Sequence, residues 1–421
     1  MYFGLMKQRY LAGKTIIVAG AGISGLSFAL SLKKLWPTAL EPPNVIVYER
    51  ETNIAPNGRE GYSLSIAGFG ETGGLFAARD LGILDEIIKH ATPGLGDEFT
   101  FNVWDNSWGE ILKLKFKPAP GLSTAGIRIP RKVLRKVLVD ALGQDHIRWG
   151  IGCVGAEKTE DGRMLVKLSG GNLPVGQSVA ECDLLVVADG ASSKIRSSLR
   201  PDDGLSYAGI MQKGGLAIFP NGIPKPVDKN WGMVISSGKG VALFVSPYDE
   251  TSVAWGISYR SSTIEPPLDS IEDAQSMLDE CRELGKEFSD PFQAIINATN
   301  PKDVSRLAAR DKKPFNHDLT AGQVIFIGDS NHAVSPFSGY GASLALKDGW
   351  DLSSQLCHAT SLSDAVKAYD AISVPRATKV LKESHSRINM GHATGMNYLF
   401  ARAFLSIGGF ILGIKDAISH A

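Results

Sequence analysis

Cysteine is scarce: Cys153, Cys182, Cys281 and Cys357 are the only four in 421 residues, far apart and without a C-x-x-C pair or any metal-ligand spacing. This excludes a disulfide-stapled secreted fold and a zinc-type site, so the expectation is no metal and reduced, mostly buried thiols in a cytoplasmic compartment. An excess of one charge is lacking too. With 44 Lys and Arg against 44 Asp and Glu the formal net charge is zero, which removes the electrostatic case for a nucleic-acid partner and favours a small, uncharged ligand. Long apolar runs are missing as well. Residues 1–14 have no sustained apolar core of the kind a secretory signal needs. Residues 399–414 are largely apolar but contain Arg402 and fall short of the roughly 20 residues that span a membrane, so they read as a buried or docking C-terminal helix, with membrane contact as the lesser alternative. No internal repeat or low-complexity tract is present. What is left is a globular chain, 43% hydrophobic and 21% charged, long enough for two domains.

The glycines that are present are placed. After an apolar strand, Thr15 to Ala19, comes Gly20-Ala21-Gly22-Ile23-Ser24-Gly25, then an amphipathic helix and a second strand, Val45 to Tyr48, ending at Glu49. This is G-x-G-x-x-G inside a βαβ unit: Gly20 allows the tight turn, Gly22 lets backbone amides approach a pyrophosphate, and Gly25 lets helix and strand pack closely. Glu49 then accepts from ribose hydroxyls, and its charge opposes the extra phosphate of NADP, leaving FAD or NAD as the held nucleotide.

A second such region lies far along the chain. The strand Val324 to Ile327 runs into Gly328-Asp329, a loop with Pro336, and Gly339-Tyr340-Gly341-Ala342-Ser343 opening a helix. Between the two regions, the spacing predicts a helix around Leu75 to His90, an extended segment from Phe99 to Phe116, and a helix from Arg131. On that helix Val133, Leu134, Val137, Leu138 and Ala141 recur at helical spacing, which places Lys132, Arg135 and Lys136 on a solvated face and Arg131 where it can reach a nucleotide. The strand Cys182 to Val187 ends at Asp189-Gly190, and its continuous apolar character suits a parallel sheet covered on both faces. From about 201 to 301 the texture changes. In Ser252 to Tyr259, Val253, Trp255, Ile257 and Tyr259 alternate with small residues, the period-two signature of a strand with unlike faces.

These motifs, in this order from about Thr15 to Pro375, resemble the group A FAD-dependent aromatic hydroxylases of the para-hydroxybenzoate hydroxylase type, with the tetracycline-inactivating and fungal natural-product monooxygenases nearest. The residues that carry the resemblance are the G-x-G-x-x-G with Glu49-Arg50, I-P-R-x-x-L-x-x-x-L at Ile129 to Leu138, D-G-x-x-S-x-x-R at Asp189 to Arg196, and Gly328-Asp329. The resemblance implies an α/β fold: a Rossmann-like FAD-binding domain (1–90, 117–198 and 303–372), an inserted antiparallel β-sheet substrate domain (91–116 and 199–302) and a C-terminal helical segment (373–421). It further implies that Asp329 accepts from the ribityl chain, Pro336 lies by the flavin ring, and Gly339, Gly341, Ala342 and Ser343 aim helix N-terminal amides at the pyrimidine edge. Arg131 would bind the FAD phosphate or ribityl region, Asp189 and Gly190 would sit near the pyrophosphate, and Arg59 would lie close to the flavin or an incoming nicotinamide. His332 reads as hydrogen-bonded structure rather than a proton shuttle, and no catalytic residue is named.

The implied activity is that of an FAD-dependent monooxygenase, with NADPH or NADH as transient co-substrate, which inserts one atom of O2 through a flavin C4a-hydroperoxide into an electron-rich aromatic, enol or indole-type substrate. The insert would roof a dry chamber, with Trp231, Met233, Phe244, Trp255 and Phe337 as lining candidates and Arg260 or Tyr259 as polar anchors; its apolar character favours a multi-ring natural product. Three alternatives share parts of the pattern. They are a flavin-dependent halogenase, whose W-x-W-x-I-P element Trp104 and Trp108 do not match, a dehydrogenase without oxygen chemistry, and a non-catalytic FAD-binding protein.

Overall fold

In chain order, β1 (Thr15–Ala19) turns into α1 (Ile23–Leu35), and β2 (Asn44–Glu49) completes the first unit in a computed structural model that describes residues 10–53, 62–70, 73–92, 99–173 and 176–419. Next come β3 (Ser63–Ala67), α2 (Gly74–Leu81), α3 (Leu84–Lys89), the hairpin β4 (Phe99–Trp104) and β5 (Glu110–Phe116), and β6 (Gly126–Pro130) running directly into α4 (Arg131–Leu142). Then follow β7 (Ile147–Trp149), a meander of β8 (Gly152–Lys158), β9 (Met164–Ser169) and β10 (Val179–Cys182), β11 (Leu184–Val187) and α5 (Lys194–Leu199). The insert comprises β12 (Ser206–Ile218), β13 (Gly232–Ile235), β14 (Val241–Pro247), β15 (Ser252–Arg260), α6 (Ile271–Leu284), α7 (Phe292–Asn297) and β16 (Thr299–Asp311). The chain returns through β17 (Val324–Phe326), the single turn α8 (Asp329–His332), and the long helices α9 (Gly341–His358), α10 (Leu362–Gly391) and α11 (Gly395–Ser419).

The nucleotide half is a parallel sheet in the order β17-β11-β1-β2-β7. Its central strands are apolar throughout because each face meets a different core. Ile16 and Val18 pack with Leu26, Phe28 and Leu346 of the helical layer, while Ile17 and Ala19 pack with Met164 and Val166 of the meander. With about 1.5–3 kcal/mol at stake for each large apolar side chain buried, neither face tolerates a polar residue. Helices α1 and α9 approach almost backbone to backbone, since a Cβ on Gly349 would sit 2.4 Å from the Phe28 nitrogen. Ser27 Oγ donates to the Leu346 carbonyl (2.8 Å) and Ser353 Oγ to that of Phe28 (2.9 Å), which locks the contact. The two helix N-termini are thereby held along one cleft.

The insert forms a seven-stranded sheet, β16-β12-β15-β14-β13-β4-β5, antiparallel except where β13 runs parallel to β4. Strand β16 pairs with β12 from Thr299 to Asp311 and so runs across the expected division at 302/303. In β15 the two faces differ as the alternation predicts, but both are covered. Val253, Trp255 and Ile257 pack against Met277, Leu278, Phe292 and Ile295 of α6 and α7, whereas Ser258 on the other face meets His392 at the end of α10, Oγ to Nε2 2.9 Å.

Other differences have local causes. The helix expected over 75–90 is two, because Gly82 takes a left-handed conformation (φ +79°) and ends α2. The final helical segment starts at Leu362 rather than 373, capped by Ser361 and passing through Pro375. Helix α11 docks Tyr398 and Leu405 on β4, β5 and β13 but leaves Met396, Phe400 and Phe404 more than 60% exposed, so of the buried or docking helix expected it is the docking one. No helix among the described residues is long and apolar enough to cross a membrane. All four cysteines are free and buried.

Candidate functional site

Gly20 (φ +108°) makes the turn that a side chain would resist, and a Cβ on Gly25 would lie 2.1 Å from the Gly20 carbonyl, so the third glycine is fixed by helix–strand contact. Gly22 is different. A Cβ there would meet only the Ala188 carbonyl at 3.8 Å, an ordinary contact, and its φ of −78° suits any residue. Packing therefore gives no reason for this glycine, and close approach by a ligand does. Gly22→Ala is accordingly expected to leave the urea-unfolding midpoint of the apoprotein almost unchanged while weakening FAD at least about tenfold, by roughly 1.4 kcal/mol; fluorescence titration with FAD checks it.

Glu49 is buried at the end of β2. Its Oε2 accepts from the Ala21 N–H (2.9 Å) and its Oε1 from the Glu51 N–H (3.0 Å), so the carboxylate is fixed against the glycine turn. Arg50 follows it, exposed and beside Gly152. Arg135 is not on a solvated face. It is 1% exposed, donates from Nε to the Ala21 carbonyl (2.9 Å), and pairs with Glu49 (3.2 Å) and with Glu51. The signal was available: residues i and i+4 share a helix face, so an Arg131 turned toward the nucleotide brings Arg135 with it.

The Asp189-Gly190 turn and the Gly328-Asp329 loop are tied by Arg196. Its guanidinium donates to the carbonyls of Ala191 (2.5 Å), Ser330 (2.8 Å) and Asp203 (3.1 Å), which gives the arginine of D-G-x-x-S-x-x-R a structural role. Ser193 caps α5 by accepting from the Arg196 N–H. Asp189 Oδ2 accepts from the Lys194 N–H (3.0 Å), while its Oδ1 is buried with no partner among the described residues, and burial holds the carboxyl above its ordinary range. Asp329 is exposed, yet partial desolvation by the protein around it raises its carboxyl above the ordinary range, against the pull of His332, Arg131 and Arg196.

Beneath that loop lies a buried ionic cluster. Asp348, 0% exposed, receives the Gly328 N–H (2.9 Å), Ser373 Oγ (3.0 Å), Arg376 Nη2 (2.9 Å) and His332 Nε2 (2.7 Å). Burial alone would push the His332 imidazole down, but Asp348 overrides it and the net is upward; burial likewise works against the Asp348 carboxylate, which His332 and Arg376 hold well below the usual range. His332 is thus a structural partner of the loop.

Helix α9 begins with no side-chain cap and no acidic residue in its first turn, and the same holds for α1. Each presents N-terminal amides and partial positive charge to the cleft, favouring an anion by about 0.3–1 kcal/mol. The buried Ser343 hydroxyl accepts from the Ala67 N–H (3.1 Å), which ties the first turn of α9 to the end of β3. Pro336 and Gly339 are exposed at the cleft, and Gly341 and Ala342 form the first turn. Arg59 lies outside the described residues. The orphaned Asp189 oxygen, the uncapped helix starts and the empty space at Gly22 suit a dinucleotide bearing a flavin.

The pocket candidates separate into three groups. Trp231 and Phe244 face the nucleotide half in an aromatic cluster with Phe99, Phe101, Phe116 and Phe69. Met233, Arg260 and Phe337 gather around the end of α10: Met233 lies against Gly391, Arg260 Nη2 donates to Asn389 (2.8 Å), and Phe337 meets His392 edge-on at 5.4 Å. A cavity of about 450 Å3 opens here between Arg260, His392 and Phe404. Trp255 is on the far face, its Nε1 donating to Thr299 Oγ1 (2.9 Å), and Tyr259 points to Glu265 on that same side; neither can line the cleft. Sequence reasoning also missed Arg128 on β6, 5% exposed, with Nε donating to Ser246 Oγ (3.1 Å) and Nη1 to Ser65 Oγ (2.9 Å). Burial pulls its guanidinium down to about 9.

Comparison with known proteins agrees with this geometry. The FAD binding domain family matches residues 14–384. The chain is 40% identical over 401 residues to monooxygenase cfoF of Aspergillus candidus, covering 93% of this chain and 95% of the relative. It is 26% identical over 386 residues to the FAD-dependent urate hydroxylase of Klebsiella pneumoniae subsp. pneumoniae, covering 90% and 91%. The crystal structure of Klebsiella pneumoniae HpxO complexed with FAD and uric acid superposes with a TM-score of 0.77 at 21% identity over 98% of both chains, a likeness of fold. The chain therefore belongs to the FAD binding domain family and is an FAD-dependent monooxygenase of the hydroxylase type that its motifs resemble.

Proposed function

We propose that this monooxygenase uses NAD(P)H and O2 to place one oxygen atom on an electron-rich, multi-ring aromatic, enol or indole-type substrate. The observation that carries the reading is the aromatic cluster around Trp231 and Phe244 on the side of the inserted sheet that faces the glycine-lined cleft. When bound, FAD supplies two-electron transfer from the nicotinamide and activation of oxygen. The chain's own part is to bind, orient and keep dry. Gly20, Gly22 and Gly25 with Glu49 would hold the adenosine end and pyrophosphate, Asp189 and Gly190 the middle, and Asp329 with Arg131 the ribityl region. The amides of Gly341, Ala342 and Ser343 would favour negative charge on the ring edge laid against them. Pro336 and Gly339 would border that ring. Phe69, Phe99, Phe116 and Trp231 would exclude water from the reacting face, and their flat walls suit a flat substrate.

Incubation with NADPH, FAD and labelled oxygen gas across a panel of electron-rich polycyclic, indole and hydroxybenzoate compounds tests this. One heavy oxygen atom in a polycyclic or indole product is the expected mass shift. Coupled turnover of simple hydroxybenzoates alone would overturn the substrate class, and chloride incorporation would turn the reading into a halogenase.

A further inference from the structure

Buried arginines in this fold meet strong acceptors. Arg135 has Glu49 and Glu51, Arg376 has Asp348 and Asp351, and Arg196 has four backbone carbonyls, those of Ala191, Asp203, Asp329 and Ser330. Arg128 is the exception. It is equally buried, yet among the described residues it meets only the hydroxyls of Ser246 and Ser65 and the ring faces of Trp231 (4.9 Å) and Phe244 (5.3 Å). Hydroxyls and rings compensate a cation weakly, and a buried charge without a counter-charge destabilises the fold that retains it. Its Nη2 makes no hydrogen bond to a described residue, and the adjacent Trp231 Nε1 is itself a buried donor with no acceptor.

Two donors without an acceptor thus share one aromatic enclosure, whose Phe69 and Phe116 rings stack in parallel at 4.4 Å. Its position is defined. Ser65, which receives Arg128, stands two residues before Ala67, whose N–H is held by Ser343 in the first turn of α9. The enclosure therefore adjoins the end of the cleft assigned to the flavin ring. Nothing in the folding of the strands demands a cation at 128, since the neighbours Ile127 and Ile129 are apolar and buried.

We infer that Arg128, with Trp231 beside it, is the anchor for an oxyanion carried by the substrate, so that the substrate is a polycyclic aromatic or enolic compound with an acidic oxygen. The inference rests on the monooxygenase reading for its location and adds the chemistry of the ligand. An anionic oxygen conjugated with the ring also enriches the carbon to be attacked, which agrees with the class of reaction.

The test uses the FAD-loaded protein and a pair of nearly isosteric probes, 2-naphthoate and neutral 2-naphthamide, titrated by calorimetry. Wild-type protein is expected to prefer the carboxylate at least tenfold. Arg128→Gln should weaken 2-naphthoate by about 10- to 100-fold, as expected for loss of a hydrogen-bonded charge, while the amide changes less than about threefold. Arg128→Lys should restore part of the preference, and FAD content should be the same in all three. Equal affinity of wild type for the two probes, no binding of 2-naphthoate, equal loss of both in Arg128→Gln, or loss of FAD in Arg128→Gln and Arg128→Lys alike would each overturn it. NADPH reduction of the flavin in the same samples reads the monooxygenase assignment separately: normal reduction without anion preference removes only the role of Arg128.

Discussion

Asp348→Ala is expected to unfold at a much lower urea concentration than the wild-type chain, with a loss of about 3–5 kcal/mol, the range for removing one partner of a buried ion pair. The carboxylate is fully buried and serves four donors at once, so its removal leaves His332 without a counter-charge, leaves Arg376 with Asp351 alone, and frees the Gly328 N–H. Because that N–H positions the loop that carries Asp329, FAD should be lost from the variant before the fold is. A flavin-release midpoint below the far-ultraviolet circular dichroism midpoint would show this order. A fall of less than 1 kcal/mol would mean that the cluster is replaceable. The pH dependence follows from the two shifts. His332 is raised, so its contribution is complete below its unfolded value of about 6.5 and fades as pH rises through the higher folded value; Asp348 is lowered, so its contribution is complete above about 4 and fades as pH falls through the lower folded value. The stability gap between wild type and His332→Gln should therefore be widest between about pH 4 and 6.5 and narrow above neutrality.

The parts of this molecule that were legible in its sequence are those where a local rule and the fold agree. Val324 to Phe326 and Leu184 to Val187 are apolar without alternation because both faces of the parallel sheet are covered, and that pattern has one physical meaning. The glycine turn was legible for the same reason, as its spacing encodes a contact between a helix and its own strand. Trp255 shows where this stops. A period of two separates the faces of a strand but does not say which of them looks at the cleft, and the large residues of β15 turned to α6 and α7 instead. Charges were harder still. Asp348 and Arg376 stand on different helices and look like solvated residues until α9 and α10 pack, and Arg128 is unusual only because of what is not beside it in three dimensions. A sequence shows that a charge is present; whether it is paired depends on contacts between residues far apart in the chain.

Arg135→Ala should have an effect of similar size at the other end of the cleft, about 3–5 kcal/mol in urea unfolding together with a loss of FAD. The substitution leaves Glu49 and Glu51 close together with no cation between them and deprives the Ala21 carbonyl, inside the glycine turn, of its donor. Glu49 would keep its bond from the Ala21 N–H, but mutual repulsion would draw the carboxylates apart and with them the end of β2, where the ribose is expected to bind. Arg135→Lys is predicted to fall between, because a single ammonium cannot reach three acceptors that the planar guanidinium meets as a fork. Combining Arg135→Met with Glu51→Gln leaves Glu49 as the one remaining charge of the three and so removes the repulsion between the carboxylates; it should recover part of the stability, and the coupling measured by that double-mutant cycle isolates the Arg135–Glu51 pair from lost packing. If instead Arg135→Ala unfolds within 1 kcal/mol of wild type and keeps its flavin, the solvated face suggested by helical spacing describes this arginine better than the buried fork, and Glu49 holds its place against the turn through backbone amides alone.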